Sequence, residues 1–109
     1  MGIKRTQLVA VTALTGTAAQ IYVAPSLTWA QITAATVLNP TGASVTVKVY
    51  LVPAAGTAAV ANQVVQKTLL AGESASLAEL LGQTLLAGTQ IAAEGNQVNI
   101  TISGVEFTQ

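Results

Sequence analysis

Four side chains in this sequence could act as carboxylates: Glu73, Glu79, Glu94 and Glu106. Glu73 and Glu79 lie close enough in sequence to suggest a paired-carboxylate site of glycosidase type, one acid protonating while the other acts as base or nucleophile. Each also has a simpler role. Glu73 sits in the turn "LLAGES", and Glu79 stands three residues after Ser76, the spacing of a helix capping box. The chain has no His, Cys or Asp, which removes Ser/His/Asp and Cys/His pairs along with the commonest metal ligands. A Ca²⁺ site would need an oxygen-rich ligand run that is absent, and no glycine-rich loop has the spacing that cradles phosphate. The residues therefore assign no catalytic position, no cofactor-binding position and no metal ligand. The expectation is a protein that is not an enzyme.

Two further motifs bear on binding. Tyr22, Trp29 and Tyr50 could offer aromatic faces to a sugar, but they fall on three separate predicted strands and read as core or interface residues. Asn99-Ile100-Thr101 fits the glycosylation pattern, whereas the proline in Asn39-Pro40-Thr41 bars it there. Asn99 reads as an outward-facing strand residue.

Composition narrows the class. At 109 residues the chain makes one domain. Its four cations, Lys4, Arg5, Lys48 and Lys67, balance the four acids, so there is no basic footprint to follow a nucleic-acid backbone. Charged residues make up 7% of the chain, against about 25% in ordinary soluble domains. From Thr6 to Val47 there is no formal charge at all. A neutral surface of Thr, Ala, Gln and Ser is poorly guarded against association, which points to contact with other subunits. No apolar run reaches the roughly 18 residues of a membrane span. "MGIKRTQLVAVTALTGTAAQ" imitates a secretory signal, but Thr12, Thr15, Gly16 and Thr17 break its apolar stretch. Residues 1–17 read as an N-terminal strand or arm, with Lys4 and Arg5 at its charged end, and residues 18–109 as the main domain.

The elements follow from periodicity. In "VTVKVYL", Val45, Val47, Val49 and Leu51 share one parity while Thr46, Lys48 and Tyr50 take the other, the mark of a half-buried strand. Trp29 to Leu38 reads as a strand with Ala30, Ile32 and Ala34 on one side and Gln31, Thr33 and Ala35 on the other. "NPTG" (39–42) carries turn residues, so these two strands are expected to pair as an antiparallel hairpin. Strands are also expected over Ile3 to Thr12, over 20–25 up to Pro25, and over Gln63 to Leu70. "TLLAG" occurs at 68–72 and again at 84–88, read as one local solution used twice, a strand end entering a glycine turn. Leu77, Leu80, Leu81 and Leu85 keep helical spacing, but Gly82 limits any helix to a turn or two. In the last strand Val98, Ile100 and Ile102 face inward. Val105 and Phe107 then take the opposite parity, and Gly104 at the flip suggests a β-bulge. Short strands separated by glycine and proline give an all-β fold, an antiparallel β-sandwich of jelly-roll or immunoglobulin-like type, with Val45, Val47, Val49, Ile100 and Ile102 buried.

The order "QIYVAPSLTWAQITAATVLNPTGASVTVKVYLVP", then "TLLAGESASLAELLGQTLLAGTQI", then "VNITISGVE", resembles a family of small proteins encoded among tailed-phage virion genes. The likeness covers about residues 18 to 107 and rests on strands and turns. Thr89 departs from it, standing where the family pattern often has an acid after the glycine. The resemblance implies a structural virion protein on the particle surface, a capsid decoration or cement protein that contacts the major capsid protein. It also implies a homo-oligomer, a trimer by family analogy. The alternative is a tail-fibre or tail-tip subunit that helps attach to the host.

Overall fold

In the computed structural model, which describes residues 2–108, 59% of the chain is strand. The strands in order are β1 (Gly2–Ala13), β2 (Ala19–Val23), β3 (Thr28–Leu38), β4 (Val45–Val52), β5 (Gln63–Leu69), β6 (Ser74–Ser76), β7 (Thr84–Leu85), β8 (Gln90–Glu94) and β9 (Asn99–Thr108). They form two antiparallel sheets. The first, sheet A, has the order β1-β9-β3-β6, with β7 also on β3; the second, sheet B, has the order β2-β8-β4-β5. The sheets pack face to face as an all-β sandwich. Ile32, Val37, Ile100 and Ile102 from sheet A meet Val47, Val49, Leu69 and Ile91 from sheet B in one continuous core. Val45, expected inside, is half-buried at the rim.

β3 and β4 do not pair. β3 bonds to β9, β6 and β7, and β4 to β5 and β8, so "NPTG" is an arch that carries the chain from one sheet to the other. Asn39 is what makes it an arch. Its side chain is fully buried and its amide nitrogen donates to the carbonyls of Ala43 at 2.7 Å, Leu70 at 3.1 Å and Leu69 at 3.2 Å. Its Oδ1 accepts from the Thr41 amide at 3.0 Å and the Thr41 hydroxyl at 2.7 Å. A buried amide with both ends satisfied fixes a single geometry. It ties the arch to the end of β5 in the opposite sheet.

The two "TLLAG" copies do share one solution. Each ends in a left-handed glycine, Gly72 at φ 73° and Gly88 at φ 86°, a conformation that costs glycine nothing sterically. The leucine-rich segment makes a single 3₁₀ turn, Ala78–Leu80. The expected capping box does not form, because Ser76 lies in β6 and no side chain caps the turn. With Gly82 at φ 84°, the chain turns away before a second helical turn. Leu77, Leu80 and Leu85 are buried instead as plugs at the open side of the sandwich.

The bulge expected at Gly104 falls on its neighbours. β9 keeps its parity throughout, while both flanking strands insert a residue opposite it. Leu8 is extra between Gln7 and Val9 in β1, and Thr33 is extra between Ile32 and Ala34 in β3. The insertion at Thr33 shifts the phase of β3, so Ala35 is buried and Ala34 exposed, the reverse of the expected assignment. Gly104 is where the strands crowd. A Cβ there would stand 2.3 Å from the Gln31 carbonyl oxygen and 2.8 Å from the Leu8 side chain. Only glycine fits.

Candidate functional site

The acids expected to matter are each held in structural roles or exposed turns. Glu73 Oε1 accepts the Leu70 amide at 2.8 Å and closes its turn. Glu79 belongs to the 3₁₀ turn after β6, so the two candidate carboxylates sit in separate turns on either side of that strand. Glu94 accepts from the Tyr50 hydroxyl, and Glu106 Oε2 accepts from the Tyr22 hydroxyl at 2.5 Å. Both phenols are pushed above the usual tyrosine range: Tyr22 mainly by burial, with the Glu106 hydrogen bond next, and Tyr50 mainly by its hydrogen bond to Glu94. Among the described residues no group of three or more acids, histidines or cysteines could hold a metal ion. Among the described residues no helix is long and apolar enough to cross a membrane.

The aromatic residues do not converge as a set. Tyr22 packs against the main core and reaches across to β9. Tyr50 lies on the outer face of sheet B in a small cluster with Val52 and Ala92, against which Ala18 and Ala58 pack. Trp29 stands on the outer face of sheet A, between the buried Thr28 and Ala30. There it stacks on Phe107, ring centroids 4.2 Å apart and planes 17° apart. Phe107 was the partner that sequence reasoning missed. Its signal was present in the parity flip, which marks side chains turned to the outer face and not a break in the strand.

That outer face is the feature left open. Ile3, Phe107 and Trp29 are register partners across β1, β9 and β3 and form an apolar row at one end; Ile3 is 67% exposed and Trp29 37%. The exposed Leu27 and Ala87 flank Trp29 around a shallow groove. Next comes the row Arg5–Val105–Gln31, then Gln7, Ser103 and the extra residue Thr33. A wider groove of about 570 Å³ opens over these rows, lined by Arg5, Thr6, Gln7, Thr33, Ser103 and Val105. Among the described strand residues on this face Arg5 carries the one formal charge. Asn99, adjacent to Leu38 in register, lies at the far end of the same face and is half-exposed, as its place in the strand implied.

No family model and no curated protein matches the chain. Among solved structures, a chain from Bacillus endospore appendages, described as forming a novel family of disulfide-linked pili, is similar. The two superpose with a TM-score of 0.54 at 18% identity, over 97% of this chain and 88% of that one. At that identity the likeness is one of fold.

Proposed function

We propose that this chain is a non-enzymatic structural subunit of a tailed-phage virion, a decoration protein that sits on the head and works through protein–protein contact. The observation that carries the reading is the outer face of sheet A, twelve residues long along β1, nearly free of charge and apolar at one end. Covering such a face strips hydration from few charged groups, so it can be desolvated at small cost. The sequence resemblance to small tailed-phage virion proteins supports the choice of particle. Every acid is in a structural contact or an exposed turn, which agrees with a role outside catalysis.

A second reading is a self-assembling appendage subunit, favoured by the fold it shares with the endospore pilus chain. These 109 residues hold no cysteine, so they supply no disulfide to link such a polymer.

The experiment is to purify the protein, measure its mass by light scattering, and mix it with phage heads lacking it. Saturable binding to heads supports the decoration reading. Filaments formed without heads favour the appendage reading. A monomer that ignores heads and adheres to host cells moves the protein to the tail.

A further inference from the structure

The outer face of sheet A combines features that association alone does not need. Arg5 is turned away from the nearest acid in register: its β9 partner is Val105, while Glu106 is the partner of Lys4 and is taken up by Tyr22. The guanidinium therefore stands on a face with no strand carboxylate. The amide and hydroxyls of Gln7, Thr33 and Ser103 line the groove with it. Thr33 Oγ1 donates to the Ser103 carbonyl at 3.3 Å, which leaves its lone pairs free to accept. The groove over them is bordered by bulges on both strands flanking β9 at the same level. Bulges re-aim side chains and gather beside functional sites. The Trp29–Phe107 pair lies on the same face, about 13 Å along the strands from the Gln7 row at two residues per side-chain repeat.

We propose that this groove binds an acidic saccharide, its carboxylate paired with Arg5, its hydroxyls bonded by Gln7, Thr33 and Ser103, which line the groove, and its apolar ring face set toward Trp29 and Phe107. A single arginine matches one carboxylate bidentately. A phosphate polymer would call for several cations, and an acidic peptide is the competing occupant that the hexaglutamate arm of the test separates. The aromatic pair suits the carbon-bound hydrogens of a pyranose. The apolar row that the virion reading covers with a partner belongs to the same face, so a saccharide and a partner would compete for it, and the test is made on the free protein.

Isothermal titration of the purified protein tests it with trigalacturonate and sialyllactose as acidic probes, maltotriose as the neutral one, and hexaglutamate and inorganic phosphate as competing anions. At least one acidic saccharide should bind, and maltotriose should bind more weakly. Arg5→Gln should weaken that binding by at least about tenfold, the loss of one charge-assisted contact, and Arg5→Lys by less. Arg5 is exposed, so its variants should melt with the wild type, and Lys67→Gln on sheet B should bind normally. Failure of both acidic saccharides to bind, equal binding of maltotriose, an unaffected Arg5→Gln, or a preference for hexaglutamate or phosphate would each overturn the proposal.

Discussion

The Tyr22 hydroxyl donates to Glu106 Oε2 at 2.5 Å, joining β2 of one sheet to β9 of the other at the end of the sandwich where the apolar row emerges. The bond holds the sheets together where the core thins out. It also makes the phenol harder to ionise, together with burial and the nearby negative charge. Tyr50 is held in the same sense by Glu94.

The native state therefore keeps two phenolic protons more tightly than the unfolded chain does. Stability from these pairs is fully present below the ordinary tyrosine value of 10.0 and is lost as pH rises above it, because the unfolded chain then releases protons first. Thermal melts should hold steady from neutral pH to about 9.5 and fall above pH 10. Tyr22→Phe should flatten that fall and lower stability at pH 7 by about 1 kcal/mol, since the pair is partly open to water. A wild-type melting profile that rose through pH 11 would contradict this.

Asn39→Ala should be among the most destabilising single changes in the molecule. It removes the buried amide that joins the carbonyls of Ala43, Leu69 and Leu70 and the acceptor of the Thr41 amide, although the Thr41 hydroxyl still reaches Ala43 and the Glu73 amide still reaches Leu70. A loss of about 2–4 kcal/mol is expected from the lost bonds and the void they leave. Asn39→Asp should be no better, because a carboxylate oxygen would then face the same carbonyls. Urea denaturation of both variants checks it, with an Asp variant near wild type as the contrary result.

The arch also shows what was legible in the sequence and what was not. The alternation of Val47 and Val49 against Thr46 and Lys48 is local, and it placed β4 and its buried face correctly. The turn residues of "NPTG" are local too, but a hairpin and an inter-sheet arch use the same ones. The choice between them rests on Asn39 reaching the carbonyls of Leu69 and Leu70, a contact distant in sequence. Phe107 is similar. Its parity was visible, yet a bulged strand and an apolar residue on an outer face give the same pattern until Trp29 is found opposite. The candidate acids were read rightly as turn residues in Glu73's case, whereas the cap assigned to Glu79 failed because Ser76 is drawn into β6 by Thr36.

Two glycines in the sequence should behave oppositely. Gly104→Ala would press a methyl group against the Gln31 carbonyl and Leu8, and it should cost several kcal/mol or prevent folding, since backbone cannot yield there. Gly42→Ala meets nothing within 4 Å, and Gly42 is not among the left-handed glycines. It should be neutral or stabilising by up to about 1 kcal/mol through the unfolded chain. Equal melting temperatures for the two variants would remove the crowding argument.

Val47 is fully buried in the core between the sheets. Val47→Asp would bring an unpaired charge into that core and should destabilise by several kcal/mol. Soluble, cooperatively melting protein close to the wild-type midpoint would show that the register of β4 is wrong.

The last expectation follows from the proposed role, in which the outer face of sheet A meets a phage head or a further copy of the chain. Charge-driven association weakens steeply with salt because screening shortens its reach. Here the outer face of sheet A has Arg5 as its one strand charge, and the row Ile3–Phe107–Trp29 offers apolar area. Contact through this face should therefore be nearly indifferent to salt, with affinity for heads or for further copies changing less than about threefold between roughly 0.05 and 0.5 M salt. Trp29→Ala should weaken it more than Arg5→Gln does, because the indole contributes more buried area than the guanidinium contributes pairing at a wet rim. Sedimentation or pull-down across a salt series decides. An affinity that collapsed at high salt, with Arg5→Gln as the damaging variant, would mean that the charged end of β1 holds the subunit in place and that the neutral face is free for something else.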